Sequence, residues 1–84
     1  MSQPKLPVTL AIITLNEESN ISRCIESVPW ASEVIVVDSG STDQTVAIAR
    51  KLGAVVQHQD FLGFRKQKQV AVEMASYNWI LSLD

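Results

Sequence analysis

Polar side chains that can hold a ligand stand directly after apolar segments of this 84-residue chain. Asn16 and Glu17 follow the segment that ends at Thr14, and Asp38 closes a run of four apolar residues. Asp84 closes the apolar segment at the end of the sequence. A carboxylate in such a place can accept hydrogen bonds from a ribose or a base N–H, and carboxylate oxygens also suit divalent cations.

Each of these residues also has a structural interpretation. Asp38 can form an Asx-turn or a helix cap that holds residues 39–42 in shape. Asn16 and Glu17 are ordinary capping and helix-dipole partners ahead of a helix. Asp84 supplies one oxygen ligand, and one ligand does not make a metal site.

A basic cluster lies later in the chain, at Arg65, Lys66 and Lys68. It can bind a diphosphate, or it can be the solvated face of a helix. Cations oppose the helix dipole in the first turns, so their position there favours a ligand role.

The elements that must position these residues follow from the apolar pattern. Continuous apolar runs predict buried strands at 7–14, 33–38, 54–57 and 78–84. Apolar residues at helical spacing predict helices over 21–28, from near residue 42 to 53, and around 70–75. Ser41 and Gln44 match a capping box for the second helix. The order is βαβαβαβ, which predicts an α/β fold with a parallel, Rossmann-like sheet.

In such a sheet ligands bind at the carboxyl ends of the strands. We therefore expect Asn16, Glu17, Asp38 and Asp84 to lie along one edge. The chain carries no G-x-G-x-x-G, no P-loop and no G-x-S-x-G motif, which excludes those dinucleotide, nucleotide and hydrolase sites. What remains is a phosphate-bearing ligand held by carboxylates through a metal ion.

Composition narrows the class of protein. With 46% hydrophobic residues and a net charge of −2 the chain can build a core, which excludes a disordered segment. The isoelectric point near 5.2 argues against nucleic acid as a partner. The single cysteine, Cys24, predicts a reducing, cytoplasmic compartment. We expect neither a signal peptide nor a membrane span.

Three motifs in order resemble family 2 glycosyltransferases, and most closely the bacterial enzymes of lipopolysaccharide core or related envelope glycan synthesis. They are Thr14-Leu15-Asn16-Glu17-Glu18, the segment from Val36 to Thr45, and Trp79-Ile80-Leu81-Ser82-Leu83-Asp84. The resemblance covers about residues 7–84. It implies a GT-A fold, of which residues 1–84 would be the N-terminal nucleotide-sugar-binding portion, truncated at the first aspartate of D-x-D.

The resemblance also implies roles for single residues. Thr14, Asn16 and Glu17 would line the nucleotide pocket, and Asp38 would hydrogen-bond the uracil or ribose. Lys68 matches a basic position that precedes the third helix, near the base and diphosphate. Asp84 would be a ligand of Mn²⁺ or Mg²⁺ on the diphosphate. No residue of the chain matches the catalytic base.

The whole protein would then be an inverting enzyme that transfers a hexose from a UDP-sugar donor to a saccharide or lipid-linked acceptor, with peripheral association at the inner face of the cytoplasmic membrane. We expect the isolated chain to be inactive and to self-associate through its truncated sheet edge. The alternative is a non-catalytic α/β module that binds a nucleotide or a protein.

Overall fold

The predicted alternation of strands and helices is confirmed. The structure, a computed structural model, describes residues 4–83. Its elements are β1 (Leu6–Thr14), α1 (Ile21–Glu26), β2 (Ala31–Asp38), α2 (Thr45–Lys51), β3 (Val55–His58), α3 (Phe64–Met74) and β4 (Trp79–Leu83). All strand pairs are parallel, and the strand order is β3-β2-β1-β4.

Helices cover both faces of the sheet. Residues that alternate along β1 and β2 point to opposite sides, as successive side chains of a strand must. On one side Leu10 and Val36 pack in a cluster with Ile21 of α1 and Ala49 of α2. On the other side Ala11, Ile35 and Val37 pack with Ala71 of α3. Burial on both faces explains why the strands read as continuous apolar runs instead of alternating ones.

The predicted start of α2 is wrong by about one turn. The helix begins at Thr45, and its N-cap residue Gln44 makes no side-chain capping hydrogen bond. The capping box fails because the hydroxyl oxygen of Ser41 accepts the N–H of Asn16 instead, while the N–H of Gln44 donates to the carboxylate of Glu18. Asp43 takes over part of the capping role, since its carboxylate accepts the backbone N–H and the hydroxyl of Thr45.

The predicted end of α2 is confirmed. Gly53 has φ +92°, the left-handed conformation that favours glycine. The N–H of Gly53 donates to the carbonyl of Arg50, and the N–H of Ala54 donates to the carbonyl of Ala49, both at 3.0 Å. This pair of bonds is the Schellman motif, which satisfies carbonyls that the helix leaves free.

The third helix begins earlier than the resemblance implies. Because α3 starts at Phe64, Lys68 lies in its second turn and not before the helix. No helix within residues 4–83 has the length and apolar character needed to cross a membrane.

The amino ends of three strands are joined by Glu33, far from the edge that carries the candidate ligand groups. Its carboxylate accepts the hydroxyl of the buried Thr9 at 2.8 Å and both the N–H and the hydroxyl of Ser76. Burial raises the pKa of Glu33, but these three hydrogen bonds outweigh it and leave that pKa below its ordinary value. The contact fixes the turn before β4 to β1 and β2.

Candidate functional site

The carboxyl ends of β1 and β2 meet as the sequence predicts. Thr14 and Asp38 are partners in the parallel register. The hydroxyl of Thr14 donates to the Asp38 carboxylate at 2.8 Å, and the N–H of Ser39 donates to the carbonyl of Thr14 at 3.0 Å. Asn16 and Glu17 follow directly, so three of the predicted groups lie at one edge. The fourth, Asp84, lies outside the described residues.

Asp38 is 3% exposed and accepts four hydrogen bonds. One carboxylate oxygen accepts the hydroxyls of Thr14 and Ser41, and the other accepts the backbone N–H groups of Gly40 and Ser41 at 3.0 and 2.8 Å. A carboxylate offers about four acceptor positions. Donors within the chain therefore occupy the acceptor positions of Asp38, and these hydrogen bonds fix the shape of the loop after β2.

These contacts also set the charge state of Asp38. Burial raises the pKa of this carboxyl, but the hydrogen bonds from Ser41, Thr14 and Gly40 outweigh it. The pKa of Asp38 consequently lies below its ordinary value, because each donor stabilises the ionised form.

Asn16 joins the loop after β1 to the loop after β2. It adopts φ +52°, a left-handed conformation that asparagine tolerates better than most residues. Its backbone N–H donates to the hydroxyl of Ser41 at 2.8 Å, and its side-chain carbonyl accepts the N–H of Thr42 at 2.9 Å. The N–H of Glu17 donates to the hydroxyl of Thr45 at 2.8 Å. The two loops therefore form one hydrogen-bonded unit.

A cleft of about 330 Å³ opens beside this unit. Of the predicted site residues, Thr14 and Glu17 line it, whereas Asn16, Asp38 and Lys68 do not. The cleft is lined by Ile13, Thr14, Leu15, Glu17, Ser39, Phe61 and Phe64.

The sequence analysis missed five of the lining residues, of which Phe61 and Phe64 contribute the largest side chains. Phe61 lies two residues before Gly63 in the connection from β3 to α3, and Phe64 begins α3 directly after Gly63. Two aromatic residues around a glycine, at the carboxyl end of a strand, were a usable signal, because loops at that edge carry ligand groups.

Gln67 is a further residue that the sequence analysis missed. It lies in α3 with 0% exposure, which is unusual for glutamine. Its amide nitrogen donates to the hydroxyl of Ser39 at 3.3 Å and to the carbonyl of Gln59 at 3.2 Å, and its amide oxygen accepts the N–H of Leu62 at 3.2 Å. Gln67 thereby fixes the loop after β3 to the loop after β2.

The described residues do not build a metal centre. Within residues 4–83 no group of three histidine, cysteine, aspartate or glutamate side chains is arranged to hold a metal ion. The donor set therefore does not fit Mn²⁺ or Mg²⁺ in this part of the chain, and Asp84 stays a prediction.

Comparison with known proteins gives consistent matches. The protein-family model described as Glycosyl transferase family 2 matches residues 9–84. The lipopolysaccharide core biosynthesis glycosyltransferase LpsC of Rhizobium meliloti is 40% identical over 86 residues, which covers 96% of this chain and 32% of that protein. An uncharacterized glycosyltransferase of Rickettsia conorii is 47% identical over 78 residues, which covers 92% of this chain and 28% of that protein. The chain thus spans about a third of these relatives' length.

A solved structure has the same fold. Glucosyl-3-phosphoglycerate synthase from Mycobacterium tuberculosis, in complex with Mn²⁺, UDP and glucosyl-3-phosphoglycerate, superposes with a TM-score of 0.78 at 27% identity. The match covers 92% of this chain and 32% of that one. The four-stranded parallel sheet with its alternating helices corresponds to the N-terminal, Rossmann-like part of a GT-A fold.

The Asp38 contacts predict a loss of stability on substitution. Asp38→Asn places an amide NH₂ against donors that need an acceptor, and should lower the free energy of unfolding by about 2–3 kcal/mol at pH 7. Urea denaturation followed by circular dichroism measures this. Because folding lowers the pKa of Asp38, its stabilising contribution is complete above about pH 3.9 and is lost as the pH falls through the folded value. The variant should lack that part of the pH dependence.

Asp60→Asn is the matched control, because the Asp60 side chain is 88% exposed. Its free energy of unfolding should stay within about 0.5 kcal/mol of the wild-type value. Equal stability of Asp38→Asn and wild type would contradict the role assigned to the carboxylate.

Proposed function

The chain belongs to glycosyl transferase family 2, and from that membership we propose that it is the nucleotide-binding part of an enzyme that transfers a hexose from a UDP-sugar to an envelope glycan or lipopolysaccharide core acceptor. One structural observation carries the proposal. The loops after β1, β2 and β3 converge at the carboxyl edge of the sheet around the cleft of about 330 Å³. Ligands of open α/β sheets bind in this place.

The shape and chemistry of the cleft support a nucleotide. Its volume of about 330 Å³ lies at the lower end of the range typical for small-molecule sites, about 300–1,000 Å³. Apolar side chains form its walls, and Thr14, Glu17 and Ser39 offer polar groups. The structurally similar mycobacterial enzyme was solved with UDP, which favours a uridine nucleotide as the ligand.

We assign the predicted site residues two kinds of role. Thr14 and Glu17 line the cleft, which supports a direct contact with the nucleotide. Asn16 and Asp38 hold the loops that form it. A direct bond from Asp38 to a ribose or uracil requires one of its present donors, such as the Ser41 hydroxyl, to turn away. Lys68 in α3 is assigned to the diphosphate.

Asp84 and a divalent cation, Mn²⁺ or Mg²⁺, belong to the same proposal. The similar mycobacterial enzyme was solved with Mn²⁺. A bound cation would offset the charge of the diphosphate as the sugar leaves. The described residues cannot hold it alone, so other ligands must complete the site.

Inversion at the sugar carbon is proposed for the whole enzyme. It requires a base that takes the proton from the acceptor hydroxyl. Because the chain spans about a third of its relatives, we assign this base and the acceptor site to the remaining part of the enzyme. We further propose a cytoplasmic location at the inner face of the membrane, where a lipid-linked acceptor is within reach. The free Cys24 is consistent with a reducing compartment.

Titration with UDP tests the nucleotide site. In ¹⁵N–¹H correlation spectra of the chain, UDP should shift the signals of Thr14, Glu17 and Ser39. Lys68→Ala should weaken UDP binding by about two- to fivefold, as expected for a partly exposed charge pair, and should leave uridine binding unchanged. Lys51→Ala is the control, because Lys51 ends α2 at the opposite edge of the sheet.

Two results would count against this site. Dispersed spectra without any response to UDP would favour a non-catalytic module that binds a protein. Equal effects of Lys68→Ala and Lys51→Ala would remove Lys68 from the diphosphate site.

A transfer assay tests the assignment of the catalytic base. The 84-residue chain, incubated with a radiolabelled UDP-hexose, a lipopolysaccharide core acceptor and Mn²⁺ or Mg²⁺, should form no labelled product above the level without protein. The full-length Rhizobium relative serves as the positive control. Turnover by the chain alone would contradict the assignment.

We expect the chain to self-associate through strand β4. Strand β4 lies at an edge of the described sheet, and its Trp79 and Leu81 are 74% and 37% exposed. Unpaired edges with apolar side chains favour pairing between copies. Sedimentation velocity should show a fraction of dimer that grows with concentration. Trp79→Lys should restore the monomer, while Leu52→Lys, at the residue directly after α2, should not. A compact monomer at every concentration would refute the prediction.

A further inference from the structure

Two phenylalanines that line the cleft are exposed. Phe61 is 54% exposed and Phe64 is 68% exposed. Their ring centroids lie 5.2 Å apart with an interplanar angle of 77°, an edge-to-face pair. Gly63, at φ +99°, turns the chain between them. The rings are therefore ordered against each other while much of their surface is left to solvent.

The other residues that line the cleft have the chemistry to take a flat ring. Leu15, which is 53% exposed, and Ile13 provide apolar surface, and the hydroxyl groups of Thr14 and Ser39 add polar atoms. A planar heterocycle has two apolar faces and a polar edge, which matches this arrangement.

The charge of the cleft indicates that it holds the base of the nucleotide and not the diphosphate. Among the described residues that line the cleft, the one charged side chain is that of Glu17. A carboxylate repels phosphate but can accept a base N–H. The cleft is therefore suited to the base, whereas a diphosphate must extend out of it.

Gln67 holds the segment around Phe61 in place. Its buried amide bonds the N–H of Leu62 and the carbonyl of Gln59, on either side of Phe61, and also the hydroxyl of Ser39 on the facing loop. Such fully bonded buried amides fix a loop in one position.

We propose that Phe61 and Phe64 form the stacking wall for the nucleobase, and that Gln67 is the positioning residue of Phe61. The inference rests on the proposed function and deepens it, because it names the part of the donor that the cleft holds. The wall makes base recognition depend on aromatic surface in addition to hydrogen bonds.

Uridine, which has the base and ribose but no phosphate, is the probe. The chain is titrated with uridine, and binding is followed in ¹⁵N–¹H correlation spectra. Phe61→Ala and Phe64→Ala should each raise the dissociation constant for uridine by about five- to 150-fold, the effect of losing one base–aromatic contact. Leu62→Ala is the matched control: its side chain is 51% exposed and does not line the cleft, so uridine binding should not change.

The role of Gln67 needs a readout that general destabilisation would not move. Gln67→Leu should weaken uridine binding, and the double variant with Phe61→Ala should bind uridine no more weakly than Phe61→Ala alone. Such non-additivity is expected when one residue acts through the other. Additive losses would overturn the positioning role.

The outcomes separate this inference from the function on which it rests. If wild type binds UDP and both Phe variants bind uridine as tightly as wild type, the stacking wall is refuted and the nucleotide site stands. If wild type responds to neither uridine nor UDP, both are refuted. The Phe variants decide the question even if Gln67→Leu does not fold, because exposed rings contribute little to the core.

Discussion

The site depends on one buried carboxylate. Asp38 ends β2, and its two oxygens bind the end of β1 through Thr14 and the following loop through Gly40 and Ser41. A buried carboxylate without such donors would be costly, so the loop must present its N–H and hydroxyl groups inward. The shape of the loop after β2 is thus a consequence of satisfying this charge.

The other loops are built outward from that arrangement. Ser41, held by Asp38, accepts the N–H of Asn16 and so fixes the loop after β1. Ser39, the neighbour of Asp38, accepts the amide of Gln67 and so fixes the loop after β3. Three loops that are far apart in sequence are consequently linked in one hydrogen-bonded network. Such pre-organisation lowers the entropy that ligand binding must overcome.

The fold was predictable because its signals are local. Apolar runs such as 33–38 and helical spacing such as that of Val70 and Ala71 need only the neighbouring sequence to be read. The capping box at Ser41 was wrong because groups distant in sequence take its partners: the hydroxyl oxygen of Ser41 accepts the N–H of Asn16, and the N–H of Gln44 donates to the carboxylate of Glu18. Gln67 was missed for the same kind of reason: its role arises from contacts between loops, which no periodicity in the sequence reports. Phe61 and Phe64 were missed although their position around Gly63 was a usable signal.

Asp38 also shows why a structural and a functional interpretation of one residue need not exclude each other. A carboxylate that is fully hydrogen-bonded within the chain cannot serve a ligand without giving up a donor, yet it determines where the exposed ligand groups stand. Thr14 and Ser39 line the cleft because Asp38 and Gln67 fix their backbone and hydroxyl positions. The two kinds of group therefore have different roles. The buried groups use their hydrogen bonds to fix the positions of the loops, and the half-exposed groups beside them have surface available to contact the ligand.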